Sequence, residues 1–200
     1  IVSYTGNATA GATIGHGLGT TPSMMIIKRR NSGNSWRVYH KSIGATKMLT
    51  LSATSAATTQ TNIFNDTEPT SSVFSVGDSS TTNASGGTYI AYCFAEKKGY
   101  SKFGSYVGNG NADGPFVYTG FKPSFILIKS TASSTNWPIT DDKRPAYNLT
   151  NDANFVMYAN TSSAESSSST RGADFNANGF KIRGTNNDVN GSSNEITYMA

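Results

Sequence analysis

The chain writes one passage twice. PSMMIIKRRNSGNSW runs from Pro22 to Trp36, and PSFILIKSTASSTNW runs from Pro123 to Trp137, an offset of 101 residues. Proline, apolar run, lysine, polar turn and tryptophan recur in register. The duplication extends over the whole chain. SYTGN (Ser3 to Asn7) answers SYVGN (Ser105 to Asn109) at an offset of 102. VFSVG answers GFKIRG, matching Phe74 with Phe180, Val76 with Ile182 and Gly77 with Gly184. NASGGTYIAYC (Asn83 to Cys93) answers NGSSNEITYMA (Asn190 to Ala200) at an offset of 107. An internal repeat of this kind constrains the fold before any other feature does. It predicts two units of ordinary domain size, residues 1–99 and 100–200. The growing offset predicts inserted residues in the second unit, and the polar tract Thr161 to Arg171 is the expected place.

Each unit reads as strands. The runs MMIIK and FILIK are rich in β-formers, follow a proline and end in a Ser/Asn/Gly turn. WRVYH alternates behind the turn RNSGNS, which predicts a hairpin. MLTLS alternates as well. SATSAATTQT has the Ser and Thr content of a loop, and the sequence carries no amphipathic helix. The expected fold class is all-β: two tandem antiparallel β-sandwich units, jelly-roll-like, related by the repeat. YIAYCFA (Tyr89 to Ala95) departs from the pattern of one wet face. Tyr89, Ala91 and Cys93 point one way and Ile90, Tyr92 and Phe94 the other, and both sets are apolar. We therefore expect Ile90, Tyr92 and Phe94 to form an assembly face, and the protein to work as an oligomer or as a segment of a longer assembled chain. The counterpart of Cys93-Phe94-Ala95-Glu96 would continue past Ala200, which strengthens that expectation.

Composition narrows the function. Charged residues are 14% of the chain, against roughly 25% in typical soluble domains, and Gly, Ser, Thr and Asn fill the difference. The net charge of +4 is scattered, with dense spots only at Lys28-Arg29-Arg30 and Lys97-Lys98. Such a distribution lacks the basic arm or stripe that tracks phosphates, so nucleic acid is not an expected partner. Cys93 is the sole cysteine, which rules out an intrachain disulfide and a thiolate cluster. No apolar run is long enough to span a bilayer as a helix, so membrane insertion is not expected.

The residues GHGLGTTPSMMIIKRR, WRVYHKSIGATK, NDTEPTSSVFSVG and the long stretch from Gly86 to Lys129 resemble an uncharacterised tandem repeat domain. That domain occurs in structural and tail-fibre-like proteins of tailed bacteriophages, often marine ones. The resemblance covers essentially the whole chain. It implies a virion structural or adhesion role, a virion or extracellular location, and other virion proteins or further copies of the chain as partners. It brings no catalytic residues.

The chemistry-bearing residues fit that expectation. His16, in GHGLG, and His40 lack metal-ligand spacing. GHGLG is not followed by the Lys-Ser/Thr of a phosphate loop. His16 has no histidine counterpart, and Asp141 stands opposite His40 at the offset of 101. The carboxylates Asp66, Glu68, Asp141 and Asp142 do not recur between the units, so a shared glycosidase pair, which needs about 5–10 Å between carboxyls, is not expected. NDTEP and TDDKR offer a few oxygens to calcium without an EF-hand pattern. No nucleophile elbow occurs. We expect no enzyme activity, no metal and no cofactor. Asn-x-Ser/Thr triplets at Asn7, Asn65, Asn83, Asn148, Asn160 and Asn190 carry no weight in so Ser/Thr/Asn-rich a chain. The alternative is a lectin-like module for cell-surface glycans, with Trp36, Tyr39, His40, Trp137 and Asp141 as contacts. Because Trp36 and Trp137 are both repeated, the packing role of large aromatics is the stronger expectation for them.

Overall fold

Short apolar runs bounded by prolines and turns become strands, and every strand pairing is antiparallel. The computed structural model describes residues 1–143 and 155–200. It divides into two units, Ile1–Glu96 and Lys97–Ala200. The division falls three residues before the expected one.

The first unit contains β1 (Val2–Thr5), β2 (Ala12–Gly15), β3 (Met24–Arg29), β4 (Arg37–His40), β5 (Lys47–Thr50), β6 (Thr58–Thr59), α1 (Thr61–Phe64), β7 (Val73–Val76), α2 (Ser80–Asn83) and β8 (Thr88–Phe94). The second contains β9 (Phe103–Val107), β10 (Phe116–Tyr118), β11 (Phe125–Ser130), β12 (Pro138–Asp141), β13 (Phe155–Tyr158), β14 (Ser166–Ser167), β15 (Ala173–Asn176), β16 (Gly179–Ile182), α3 (Asn187–Asn190) and β17 (Glu195–Met199). The helices are single turns.

A six-stranded sheet of order β1-β8-β3-β4-β5-β6 dominates the first unit, and one of order β9-β17-β11-β12-β13-β14 the second. Taken by position in the chain, the two orders are the same. Each unit also has a smaller sheet: β2-β7 in the first and β10-β16-β15 in the second. Buried side chains of the large and the small sheet share each core. In the first unit Met25, Ile27, Tyr39, Tyr89 and Ala91 of the large sheet meet Phe74 and Val76 of β7 and Ile63 and Phe64 of α1. In the second unit Ile126, Ile128, Ile196 and Tyr198 meet Val117, Phe175, Phe180 and Ile182. Aromatic rings lock the packing: Tyr4 stacks on Tyr89 at 5.0 Å, and Phe180 meets Tyr198 edge-on at 5.3 Å.

Sheet register corrects the expected place of the inserted residues. β4 and β12 keep the offset of 101, since Ile26 pairs with Val38 and Leu127 with Ile139. On the next strand Leu49 pairs with Val38 and Met157 with Ile139, an offset of 108. The seven additional residues (108 − 101) therefore lie between Asp141 and Phe155, not in Thr161 to Arg171. The Ser/Thr tract was misleading because its first-unit counterpart, around SATSAATTQ, is equally polar.

The ladder between β11 and β17 starts at Leu127 and is two pairs shorter than that between β3 and β8, which starts at Met24. β17 is flanked by β11 and β9, and the Ala200 amide and carbonyl both bond to Lys102.

A buried asparagine ties together the layers of each unit. Asn83 is 2% exposed and Asn190 fully buried. Asn83 Oδ1 accepts from the Asn7 amide, and its Nδ2 donates to the carbonyls of Thr9 and Gly77 at 2.9 and 2.8 Å. Asn190 does the same with the Asn109 amide and the carbonyls of Asn111 and Gly184, at 2.7 and 2.8 Å for the carbonyls. Buried amides satisfied on both ends are costly to replace. Asn83 and Asn190 both head Asn-x-Ser/Thr triplets, and burial gives each a purely structural role here; Asn148 lies outside the described residues. Gly77 and Gly184 sit where another strand of backbone passes. A Cβ on either would lie 2.2 Å from a carbonyl oxygen, of Asn62 and Thr170 respectively. Gly77→Ala and Gly184→Ala should each destabilise their unit by about 1–3 kcal/mol. Chemical denaturation of the two variants checks this; unchanged midpoints would contradict the close approach.

Candidate functional site

The repeated lysine and tryptophan form one structural device. Lys28 on β3 reaches along the outer face of the sheet, the face away from the core. There its amine donates to the carbonyl of Asn34 in the β3–β4 turn and lies 5.9 Å from the Trp36 ring. Lys129 on β11 donates to the Thr135 carbonyl at 2.8 Å and its hydroxyl at 3.1 Å, and lies 6.0 Å from the Trp137 ring. Each amine thus holds the turn that precedes its tryptophan, and the ring covers it. The tryptophan backbones are held alike: the Trp36 carbonyl accepts from Leu51 and the Trp137 carbonyl from Ala159.

The two copies differ in their surroundings. Trp36 is half-buried and stacks on Tyr92 at 6.4 Å. Trp137 is 2% exposed and Lys129 fully buried. Burial pushes the Lys129 amine down to about 8, partly offset by the charge of Asp188. Asp188 is itself buried; it accepts from Arg171 Nε at 2.8 Å and from the Asn136 amide.

Of the five expected glycan contacts, Tyr39, His40 and Trp137 are each 2% exposed and offer no face to a ligand. Tyr39 points into the core and donates to Glu68 Oε2 at 2.5 Å; burial and this bond hold its hydroxyl well above the ordinary phenol range. His40 lies on the outer face of β4, and its Nδ1 accepts from the Ser42 amide. The expectation failed because both faces of β4 are covered. Trp36 and Asp141 keep partial exposure, one in each unit. His16 is also structural: its ring joins the Leu18 amide to the Thr70 carbonyl. By strand register Thr119 takes its place in the second unit. Glu68, the best oxygen donor of NDTEP, is committed to Tyr39 and, through Oε1, to the Ala45 amide. Arg144 of TDDKR lies outside the described residues. Among the described residues no three His, Cys, Asp or Glu side chains group to hold a metal ion.

The expected assembly face has the predicted alternation. Tyr89, Ala91 and Cys93 enter the core, while Ile90, Tyr92 and Phe94 take the outer face. There they register against Lys28, Ile26 and Met24. All three remain half-buried, so a strip of apolar surface continues from Phe94 through Tyr92 to Trp36.

Sequence reasoning missed a second surface, on the small sheet of the second unit. β10 buries Val117 and exposes Phe116 and Tyr118, at 46% and 66%. A Cβ on Gly179 would lie 2.9 Å from Phe116 Cζ, and one on Gly120 would lie 3.6 Å from the Tyr118 hydroxyl. Each ring therefore lies beside a glycine, and at Gly179 a side chain would collide with the Phe116 ring. Beside the rings, Lys181 bonds Asp113 at 2.7 Å and Arg183 bonds Asp174 at 2.6 Å. The bond to Lys181, and its charge, hold the Asp113 carboxyl below the usual carboxylate range. In the first unit the matching positions on β2 are Thr13 and Gly15, on either side of Ile14. The signal in the sequence was this exchange of small residues for aromatics at two alternate positions.

A family model covers residues 1–200. The chain belongs to that family, a domain of unknown function (DUF7483). No curated protein and no solved structure matches the chain. The family therefore groups the chain without assigning it an activity, and the surfaces above carry the functional argument.

The buried amine gives a pH test of the latch. Between about pH 8 and 10.5 folded Lys129 has shed its proton while the unfolded chain still holds it, so stability rises with pH across that window. The full effect is on the order of 3 kcal/mol. The raised Cys93 thiol and Tyr106 hydroxyl act in the opposite sense, and Lys129→Met retains both. Denaturation at about pH 7.5 and pH 10 should thus show the wild type gaining on Lys129→Met as pH rises. Parallel pH profiles would contradict the burial.

Proposed function

We propose that the chain is a non-catalytic structural or adhesion module of a virion, which assembles through apolar strand faces and displays polar loops. The observation that carries this reading is the half-buried apolar strip of Ile90, Tyr92 and Phe94 continuing to Trp36 on the outer face. Apolar side chains left partly open in a row on one strand face favour a contact with another molecule. The repeated polar residues support a non-catalytic role, because lysine, asparagine and glycine at those positions are all occupied in holding the fold. The partners on this reading are further copies of the chain or neighbouring virion proteins. The virion setting rests on the sequence resemblance alone.

Sedimentation of the isolated chain tests the assembly role, and immunolabelling of intact particles tests the setting. The expected result is concentration-dependent association that Phe94→Ser weakens by tenfold or more, about 1.4 kcal/mol. A monomer at micromolar concentration, unaltered by Phe94→Ser, would overturn it.

A further inference from the structure

We infer that the outer face of the β10-β16-β15 sheet is a glycan-binding platform for neutral pyranose chains. The inference deepens the adhesion reading and rests on it. Phe116 and Tyr118 occupy alternate positions of one strand, and so stand on one face about 7 Å apart along it. Val117 between them, and Phe180 on the paired strand, fill the core. Folding thus uses the inward residues of β10 and leaves both outward rings to solvent.

The glycines make those rings a platform. Phe116 rests against Gly179, and Tyr118 against Gly120. The tip of each ring meets a glycine, and large fractions of both rings remain open. Open aromatic faces suit the apolar C–H faces of pyranose rings, while ring hydroxyls need donors and acceptors at the border. Asp113, Asp174, Lys181 and Arg183 provide them. Asp113 is 81% exposed while bonded to Lys181, so its carboxylate retains room to accept hydroxyls.

The charges select the ligand class. Two carboxylates and two cations pair on this face, by Lys181 with Asp113 and by Arg183 with Asp174. Their sum is zero. An anionic polysaccharide would meet carboxylates as well as cations and gain little net attraction. A neutral chain loses nothing to that balance. The first unit, with Thr13 and Gly15 at the matching positions, lacks the platform. One such platform follows among the described residues, and several chains in an assembly would bind a surface with avidity.

The test is titration of the intact chain with cellohexaose, maltohexaose and mannohexaose, with an alginate hexamer as anionic probe, followed by heteronuclear NMR and calorimetry. The platform predicts binding to at least one neutral hexamer, unaffected by raised salt. Phe116→Ala and Tyr118→Ala should each weaken it about tenfold. Tyr118→Phe should retain it, because the ring does the work. Trp36→Ala should leave it unchanged. Binding lost with Trp36→Ala but not with the β10 variants would overturn the assignment, as would no neutral binding, or salt-sensitive binding to alginate alone. Cleavage of a hexamer would refute the non-catalytic reading while leaving the platform standing. Circular dichroism of the variants separates loss of fold from loss of binding.

Discussion

A lysine amine taken out of water must find oxygen partners, and Lys129 finds them in the turn that its own strand leads into. That requirement fixes the hairpin from β11 to β12. The amine bonds to Thr135, the tryptophan two residues later covers it, and the strand continues from there in register with β11. The same geometry recurs at Lys28, Asn34 and Trp36. A buried cation costs much solvation, so the arrangement is worth keeping only where the bonds and the covering ring come together. The duplicated passage is therefore a statement about folding. Its proline starts the strand, its apolar run fills both faces, and its lysine and tryptophan close the turn.

The asparagine clamps extend the logic to the second layer. Asn83 and Asn190 each join the segment after the first strand to the glycine ending β7 or β16. The glycines are required because backbone from another segment passes within contact of their α-carbons. The second unit departs from this plan in its additional segment between Asp141 and Phe155, and in β15, which lies where the first unit places α1. Both solutions put aromatic residues into the core, Phe64 in one case and Phe175 in the other.

Much of the fold was legible in the sequence, because strand periodicity and turn residues are local signals. The alternation of Tyr89, Ala91 and Cys93 against Ile90, Tyr92 and Phe94 could be read directly. Burial of the outer face could not. Tyr39 and His40 are neighbours on β4 and point to opposite sides, yet both are inside. Strand alternation assigns a side to each residue; it does not say what covers that side. Trp36 and Trp137 make the same point, since matching positions of the repeat leave one half-buried and the other fully covered. Phe116 and Tyr118 were overlooked for the complementary reason. FVY reads as a short apolar core strand, and only pairing with β16 reveals that Val117 alone turns inward.

Residues written twice thus build the scaffold, with Trp36 also reaching the outer-face strip, while Phe116 and Tyr118, written once, shape the β10 surface. Calorimetric unfolding of Trp137→Ala, alongside titration of the same variant with the neutral hexamers, tests that division most directly. The scaffold account predicts a loss of about 3–5 kcal/mol in the second unit, with any folded fraction binding glycan as the wild type does. Wild-type stability with glycan binding abolished would contradict it, and would make the repeated tryptophan a site.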